Sequence, residues 1–299
     1  MRAVAYKQPQ PISAETSLID VELPTPEAKG HDLLVEVRAV SVNPVDVKVR
    51  ANVAPSEGAY KILGWDAAGI VKAGAKLKSL DFPAAAALPL TSITAYEALF
   101  DRLKVQNRVP GAAHAILIIG GAGGVGSIAI QIARALTDLT VIATASRPET
   151  QAWVKELGAH HVIDHSKPLA PEIEALGIGA PAFVFSTTNT TDHISSIVDA
   201  IAPQGRFALI DDPKTLDVVP FKRKAVSIHW ELMFTRPLFG TADMIEQHKL
   251  LTKVAQLVDT GQIRSTLTET AGTINAANLK KAHALVETGK MKGKVVLAG

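Results

Sequence analysis

The chain has 299 residues, of which 47% are hydrophobic and 20% are charged, a balance typical of a globular protein with one large or two ordinary domains. Its 31 basic and 29 acidic side chains leave a formal net charge of +2, which gives no electrostatic basis for a nucleic-acid or membrane surface. The absence of cysteine excludes disulfides, thiolate nucleophiles and cysteine-ligated zinc.

The amino-terminal segment, 1–6, has a strand-like pattern without a signal-peptide core, and no stretch is apolar for long enough to span a bilayer. We therefore expect a cytosolic protein that acts on a small molecule rather than on nucleic acid or membrane. The nine histidines form no H-E-x-x-H pattern. Strand alternation would separate the directions of His160, His161 and His165, so we expect no metal site there.

The first part of the chain, to about residue 73, is predicted to be β-rich. Val35–Val40 alternates like a half-buried strand, prolines such as Pro44 mark turns, and Gly64 begins a turn into another strand. Around Phe82 the sequence becomes rich in alanine and leucine, which favours helices in this part of the chain. The predicted helices are 83–88 and 93–103.

From Ala115 onward, strands alternate with helices. The continuous apolar run Ala115–Ile119 is typical of a strand that is covered on both faces. Further strands are predicted at 140–145, 161–163, 182–186, 206–210, 225–232 and 294–297, with helices at 127–136, 148–157, 191–201, 241–260 and 276–288. This alternation predicts an α/β fold with a doubly wound parallel sheet of the Rossmann type.

A G-x-G-x-x-G motif lies between the apolar strand and the next helix, which is the context that a dinucleotide-binding loop requires. We assign the tight turn to Gly121, the close approach of backbone N–H groups to a pyrophosphate to Gly123, and close packing of the helix on the sheet to Gly126. The helix N-terminus then faces the phosphates. A glycine-rich turn without a ligand is the alternative interpretation.

The position that distinguishes NAD from NADP lies about 20 residues beyond the motif, at the tip of the second strand. The sequence there is Ser146-Arg147, with no acidic residue to bind a ribose 2′-hydroxyl. A serine hydroxyl and an arginine suit a 2′-phosphate, so the predicted cofactor is NADPH. Glu149 is near, but we expect Pro148 to set it apart in the next helix. A solvated loop arginine is the alternative.

Matches along nearly the whole chain resemble the zinc-independent quinone oxidoreductase branch of the medium-chain dehydrogenase/reductase superfamily. They are Val42–Asp46, Leu63–Gly69, Ala85–Ala95, the glycine motif, Leu157–His165 and Gly293–Leu297. The resemblance implies a GroES-like β-barrel catalytic domain, 1–90 and 265–299, and a Rossmann NADPH-binding domain, 91–264. It also implies a homodimer that pairs the 225–232 strand, and reduction of quinones or of the C=C bond of α,β-unsaturated carbonyl compounds.

Two features depart from related sequences. Zinc-using relatives carry a cysteine and a Gly-His-Glu early in the chain, whereas the corresponding stretch here is Gly64-Trp65-Asp66. This disfavours alcohol oxidation, which needs the metal to stabilise an alkoxide. The resembling branch also continues with several more barrel strands where this chain passes almost directly from Ala73 to Lys76. We therefore expect an incomplete barrel with unpaired edge strands and a more open substrate site.

Family position and donor chemistry make Asn43 and Tyr60 the candidates for stabilising charge on the substrate carbonyl oxygen. A turn cap is the alternative for Asn43, and simple packing is the alternative for Tyr60. Met233-Phe234 is expected at the wall of the substrate cleft, with ordinary core packing as its alternative. The resemblance places Thr94 beside the nicotinamide. The predicted cofactor contacts are Thr94, Gly121, Gly123, Gly124, Val125, Gly126, Ser146, Arg147, His165, Ser186, Phe234 and Lys294. A non-catalytic NADPH-binding redox sensor is the alternative to a reductase.

Overall fold

The structure is a computed structural model that describes residues 1–28, 33–71 and 79–299. In the first part of the chain, the elements are β1 (Arg2–Tyr6), β2 (Ile19–Glu22), β3 (Val35–Ser41), α1 (Pro44–Asn52), β4 (Lys61–Ile62), β5 (Asp66–Val71), α2 (Phe82–Ala86), α3 (Pro89–Tyr96) and a π-helical segment (Glu97–Arg102).

The second part of the chain begins with the apolar strand that precedes the glycine motif. Its elements are β6 (Ala113–Ile119), α4 (Gly124–Leu136), β7 (Thr140–Thr144), α5 (Pro148–Glu156), β8 (His161–Ile163), α6 (Leu169–Glu174), β9 (Pro181–Ser186), α7 (Thr190–Ala200), β10 (Arg206–Leu209), a 3₁₀ segment (Val219–Lys224), β11 (Ser227–Trp230), α8 (Thr235–Phe239), α9 (Ile245–Asp259), β12 (Leu267–Thr270), α10 (Ala276–Glu287) and β13 (Lys294–Ala298).

The chain divides into two compact units, each with its own hydrophobic core. The first unit comprises 1–90 and 265–299, and the second comprises 91–264. No helix in the described ranges is both long and apolar enough to cross a membrane.

The second unit contains a six-stranded parallel sheet in the order β11-β10-β9-β6-β7-β8. The predicted doubly wound sheet is therefore confirmed. Its central strands are buried on both faces, with Leu117, Val184 and Phe207 fully inaccessible to solvent. The chain runs outward from β6 through β7 to β8 and then returns to β9. The strand order thus reverses beside β6, where ligands of such sheets bind.

The first unit contains two smaller sheets among its described residues. One has the antiparallel order β2-β1-β4, and the other has the order β12-β13-β3-β5. Their core includes Tyr6, Leu18, Val42, Val295 and Leu297, packed against residues of α10. Among the residues that the structure describes, β5 lies at the edge of its sheet. The predicted interruption of the barrel between Ala73 and Lys76 lies outside the described residues.

One predicted turn is wrong. Pro44, interpreted from the sequence as part of a turn, is the first residue of α1. The proline ring presets a helical φ, and the N–H that proline lacks would have no partner at that position anyway. Asn43 precedes it with φ −121° and ψ 158°, and its backbone N–H donates to Asp46 Oδ2 at 2.8 Å. The acidic side chain on the first turn therefore fixes the entry into the helix.

Candidate active site

The predicted cofactor residues of the second unit follow the carboxyl ends of its parallel strands. The glycine motif follows β6, Ser146 follows β7, His165 follows β8, and Ser186 ends β9. Because parallel strands end at the same edge of a sheet, the structure brings these residues to one edge. Phe234, half-buried, comes after β11 at that edge. Thr94 is buried within α3.

The tight turn after β6 contains both Gly120 and Gly121, and the N–H of Gly123 closes it by donating to the carbonyl oxygen of Gly120 at 3.1 Å. Gly120 has a φ of +76°, and a Cβ there would lie 2.5 Å from Thr187 Oγ1. Gly121 is required for a different reason, because its Cβ would lie 2.9 Å from the Cβ of Ala143 in the neighbouring strand. The pair Gly120-Gly121 is the feature of the sequence that could have indicated a role for Gly120 in the turn.

Packing within the protein requires glycine at position 126 but not at position 123. A Cβ at Gly126 would lie 2.3 Å from the carbonyl oxygen of Gly120, so the turn and α4 can approach only if residue 126 is glycine. A Cβ at Gly123 would meet no heavy atom closer than that same oxygen, at 3.5 Å, which is ordinary contact. Packing within the protein therefore explains Gly126 but does not explain Gly123.

The N-terminus of α4 has the chemistry of an anion site. Its N-cap, Gly123, has no side chain to bond the first turn, and no acidic residue occupies that turn. The first N–H groups of a helix have no intrahelical acceptor, and the helix dipole adds partial positive charge at this end. These donors suit a pyrophosphate. The residues at the switch point of the sheet therefore fit a dinucleotide.

Thr144, a residue that the sequence analysis missed, links three parts of this edge. Its Oγ1 accepts the N–H of Gly120 at 3.0 Å and lies 3.0 Å from Nδ1 of His165. Its carbonyl oxygen accepts the N–H of Gly121 at 3.2 Å. Burial lowers the pKa of His165, and its effect is larger than that of any nearby charge, so the ring is neutral at neutral pH. Thr144 thus holds the glycine turn and His165 together. The feature of the sequence that could have identified it is a hydroxyl residue at the end of the second strand of the parallel sheet.

Arg147 stands directly before α5, and its side chain is 38% exposed. Its Nε lies 2.8 Å from Glu149 Oε1. The expectation that Pro148 sets Glu149 apart is wrong, because the arginine side chain reaches Glu149 on the first turn of α5. Ser186 is buried at the end of β9, and its Oγ lies 2.8 Å from the hydroxyl of Thr190.

In the first unit, the structure brings Asn43 and Lys294 together in a buried polar network. Lys294 Nζ donates to Asn43 Oδ1 and, at 3.1 Å, to the carbonyl oxygen of Val42. Asn43 Nδ2 donates to Asp66 Oδ2 at 2.9 Å, and Asp66 Oδ1 accepts the N–H of Leu90 at 2.8 Å. Asn43, Asp66 and Lys294 expose 1%, 1% and 3% of their surface. Both ends of the Asn43 amide are therefore engaged inside this unit.

Burial dominates the titration of this network. It raises the pKa of Asp66, while the ammonium of Lys294, 3.8 Å away, opposes the shift. It also lowers the pKa of Lys294, which Asp66 and Asp46 oppose. Burial raises the pKa of Asp46 to about 6, against the N–H bond from Asn43 and the charge of Lys294. The ammonium and the carboxylates each favour the charged form of the other, against the effect of burial.

Tyr60 stands outside this network. Its side chain is 39% exposed, and Lys7 Nζ lies 4.8 Å from its ring centroid. Of the two candidate donors, Tyr60 is therefore the accessible one. In the ranges that the structure describes, no three histidine, aspartate or glutamate side chains come close enough to hold a metal ion. The roles predicted for Tyr60, Asn43 and the cofactor contacts stay predictions.

Comparison with known proteins gives the family. A zinc-type alcohol dehydrogenase-like protein of Staphylococcus aureus strain MSSA476 is 33% identical over 339 residues, covering 99% of this chain and 99% of the relative. The chain belongs to the medium-chain dehydrogenase/reductase superfamily. Family models match residues 29–82, as an alcohol dehydrogenase GroES-like domain, and 124–253, as a zinc-binding dehydrogenase. This medium-chain oxidoreductase thus pairs a GroES-like domain with a Rossmann-like sheet.

Solved structures and a second relative agree with this family. A Rhizobium etli CFN 42 protein assigned to the zinc-dependent alcohol dehydrogenases is 61% identical, with a TM-score of 0.98 over 100% of this chain and 98% of its own. A quinone oxidoreductase of Lama guanicoe is 26% identical over 238 residues, 67% of this chain and 70% of that relative. Escherichia coli quinone oxidoreductase, solved with NADPH, shares the fold at 19% identity and a TM-score of 0.80, with 100% of both chains covered.

The alignment with the staphylococcal relative also bears on the predicted interruption. It extends over 339 positions, whereas this chain has 299 residues, a difference of 40. At least that many positions of the alignment therefore have no counterpart in this medium-chain dehydrogenase/reductase.

Proposed function

We propose that this protein is a zinc-independent reductase that uses NADPH to reduce quinones or the C=C bond of α,β-unsaturated carbonyl compounds. The observation that carries the proposal is the uncapped, glycine-lined N-terminus of α4 at the switch point of the parallel sheet. NADPH, when bound, supplies the hydride.

The choice of NADPH over NADH rests on the tip of β7. Ser146 and Arg147 follow the strand directly, and no acidic residue stands at its tip. An acidic side chain in that place would bind a ribose 2′-hydroxyl and repel a 2′-phosphate. Arg147 would release its contact with Glu149 and bind the 2′-phosphate of the cofactor instead.

Zinc independence rests on the residues that stand where zinc-using relatives have ligands. The whole chain lacks cysteine. Asp66, in the stretch that corresponds to Gly-His-Glu, already accepts hydrogen bonds from Asn43 and Leu90 and lies beside the ammonium of Lys294. A second cation at Asp66 would have to displace that ammonium, so we propose that Lys294 takes the place of a metal in this network.

The reduction needs a donor toward the carbonyl oxygen of the substrate, where negative charge develops. Tyr60 suits this role because its side chain is exposed, whereas Asn43 would have to release Asp66 or the backbone of Ser41. We assign the donor role first to Tyr60. Asn43 and Lys294 then hold α1, β5 and β13 together.

The proposal is tested by turnover. The purified protein is incubated with NADPH and, separately, p-benzoquinone or cyclohexenone, and NADPH oxidation is followed against a blank without enzyme. We expect turnover with at least one substrate and, from cyclohexenone, cyclohexanone as the product. Formation of cyclohexenol would contradict C=C reduction. NADPH binding without any turnover would indicate the redox sensor instead.

We further propose that the protein forms a homodimer through the free edge of β11. Among the described residues β11 pairs only with β10. The N–H groups of Ser227 and Glu231 donate to the carbonyl oxygens of Gly205 and Leu209 on the β10 side. Because successive N–H groups of a strand point in opposite directions, those of Ile228 and Trp230 point away from β10, toward the free edge. Trp230 and Leu232 are 52% and 51% exposed. An apolar edge of this kind favours pairing with another strand.

A further inference from the structure

The first unit contains a cavity of about 1040 Å³, open to solvent, to which the proposed reaction assigns no role. Its lining comes from both sheets of that unit and from α10, and it includes none of the residues 91–264. Apolar side chains such as Val4, Val21, Val40, Leu63 and Leu279 form much of its wall. Small-molecule sites typically have volumes of roughly 300–1,000 Å³, so the cavity is large enough for one.

Two residues of the cavity lining each have one buried polar atom that lacks a hydrogen-bond partner within the described part of the chain. The two atoms are Oδ1 of Asp46 and Nδ1 of His283. Asp46 and His283 expose 2% and 1% of their surface. The other carboxylate oxygen of Asp46 is held by the N–H of Asn43. A buried acceptor that lacks a donor is destabilising, so a bound molecule that supplies one would be favoured.

The charges of the lining favour a cation. Its carboxylates are those of Asp20, Glu22, Glu36, Asp46 and Asp66, whereas its basic groups are Arg2 and the terminal ammonium of Met1.

Three of these carboxylates already face basic groups outside the lining, since Lys294 lies near Asp66 and its charge also acts on Asp46, and Arg38 contacts Glu36. Burial and the charge of Arg50 lower the pKa of His283 to about 4, so its ring adds no positive charge at neutral pH.

We propose that this cavity binds a small apolar amine, whose ammonium group donates a hydrogen bond to Asp46 Oδ1 and whose hydrocarbon part packs between the two sheets of the first unit. The apolar wall provides the favourable burial, and the excess of carboxylates selects the cationic head group. The site is separate from the glycine motif, and neither Asn43 nor Tyr60 lines it.

The test compares three ligands that share one skeleton. Calorimetric titration of the 299-residue protein with phenylbutylamine, phenylbutanol and phenylbutyrate separates the contribution of the charge to binding from that of the apolar skeleton. We expect saturable one-to-one binding of the amine, binding of the alcohol weaker by on the order of tenfold, and no binding of the carboxylate. Equal affinity for the amine and the carboxylate, or no binding of the amine at millimolar concentration, would overturn the proposal.

A pair of matched variants locates the site. Val37 lines the cavity and is 43% exposed, whereas Ile70 lies on the neighbouring strand, is 42% exposed and does not line it. Val37→Trp should abolish amine binding, and Ile70→Trp should retain it. Ile62→Trp, at a second exposed lining position, replaces Val37→Trp if that variant does not fold. Unchanged binding in a folded Val37→Trp or Ile62→Trp would place the amine elsewhere and contradict the proposal.

Discussion

Lys294 donates a hydrogen bond to the side-chain oxygen of Asn43, although 251 positions separate the two residues in the chain. The contact ties the first residue of β13 to the residue before α1. Asn43 in turn donates to Asp66, the first residue of β5. One buried ammonium therefore supports the junction of three elements in the first unit.

Removing that ammonium should destabilise the protein strongly. Lys294→Met leaves the buried carboxylate of Asp66 without its cation, and we expect the free energy of unfolding to fall by about 3 kcal/mol or more. Denaturant unfolding followed by circular dichroism measures the change. The double variant Lys294→Met/Asp66→Asn removes both charges and should recover part of the loss. Equal destabilisation of the single and double variants would show that the charge pairing is unimportant.

Alanine at the two motif glycines should separate folding from cofactor binding. Gly123→Ala meets no close neighbour in the protein, so its melting temperature should be unchanged while its affinity for NADPH falls roughly tenfold or more, through weakened contacts to the pyrophosphate. Gly126→Ala forces a Cβ onto the carbonyl of Gly120 and should lower stability by about 1–3 kcal/mol as well. Thermal melts and NADPH titrations of both variants check this. Unchanged NADPH affinity in Gly123→Ala would count against the dinucleotide site.

Cofactor preference should depend on Arg147. Arg147→Ala should weaken NADPH by on the order of ten- to a hundredfold and barely change NADH, because a charged hydrogen bond to the 2′-phosphate is lost. Glu149→Ala is the matched control. It removes the carboxylate that pairs with Arg147 and should leave NADPH binding equal or tighter. Equal losses for the two cofactors in Arg147→Ala would refute the assignment.

Activity should not require a metal ion. The chain has no cysteine, and Asp66 already accepts two hydrogen bonds from nitrogen donors. We expect elemental analysis to find no stoichiometric zinc and turnover to survive prolonged treatment with a chelator. Activity that is lost on chelation and restored by zinc would overturn this prediction.

The homodimer should be sensitive to proline at the outward-facing positions of β11. Ile228→Pro removes a donor from the free edge without removing one from the ladder to β10, so pairing with a second copy should weaken. Trp230→Pro tests the same edge at a more exposed position. Light scattering across micromolar concentrations measures the mass. A wild-type protein that is monomeric throughout this range would contradict the prediction.

The sequence alone was sufficient to predict most of the strands and helices of the second unit. Long apolar strands, helix periodicity and the glycine spacing are local signals, and they were sufficient for the parallel sheet and for β8 and α5 to within a residue. They were also sufficient to place residues of the glycine motif, Ser146 and His165 after strand ends, because consecutive parallel strands end at one edge.

Only the tertiary structure decided which side chains meet. Proline signals both a turn and a helix start, and at Pro44 the helix forms with the N–H of Asn43 bonded to the side chain of Asp46. Gly120, which the sequence analysis did not single out, has the positive φ of the turn after β6, and Thr187 leaves no room for a Cβ there. The contacts of Thr144 with His165, and of Lys294 with Asn43, join residues from different elements. Such contacts depend on packing between distant segments, and sequence periodicity carries no information about that packing.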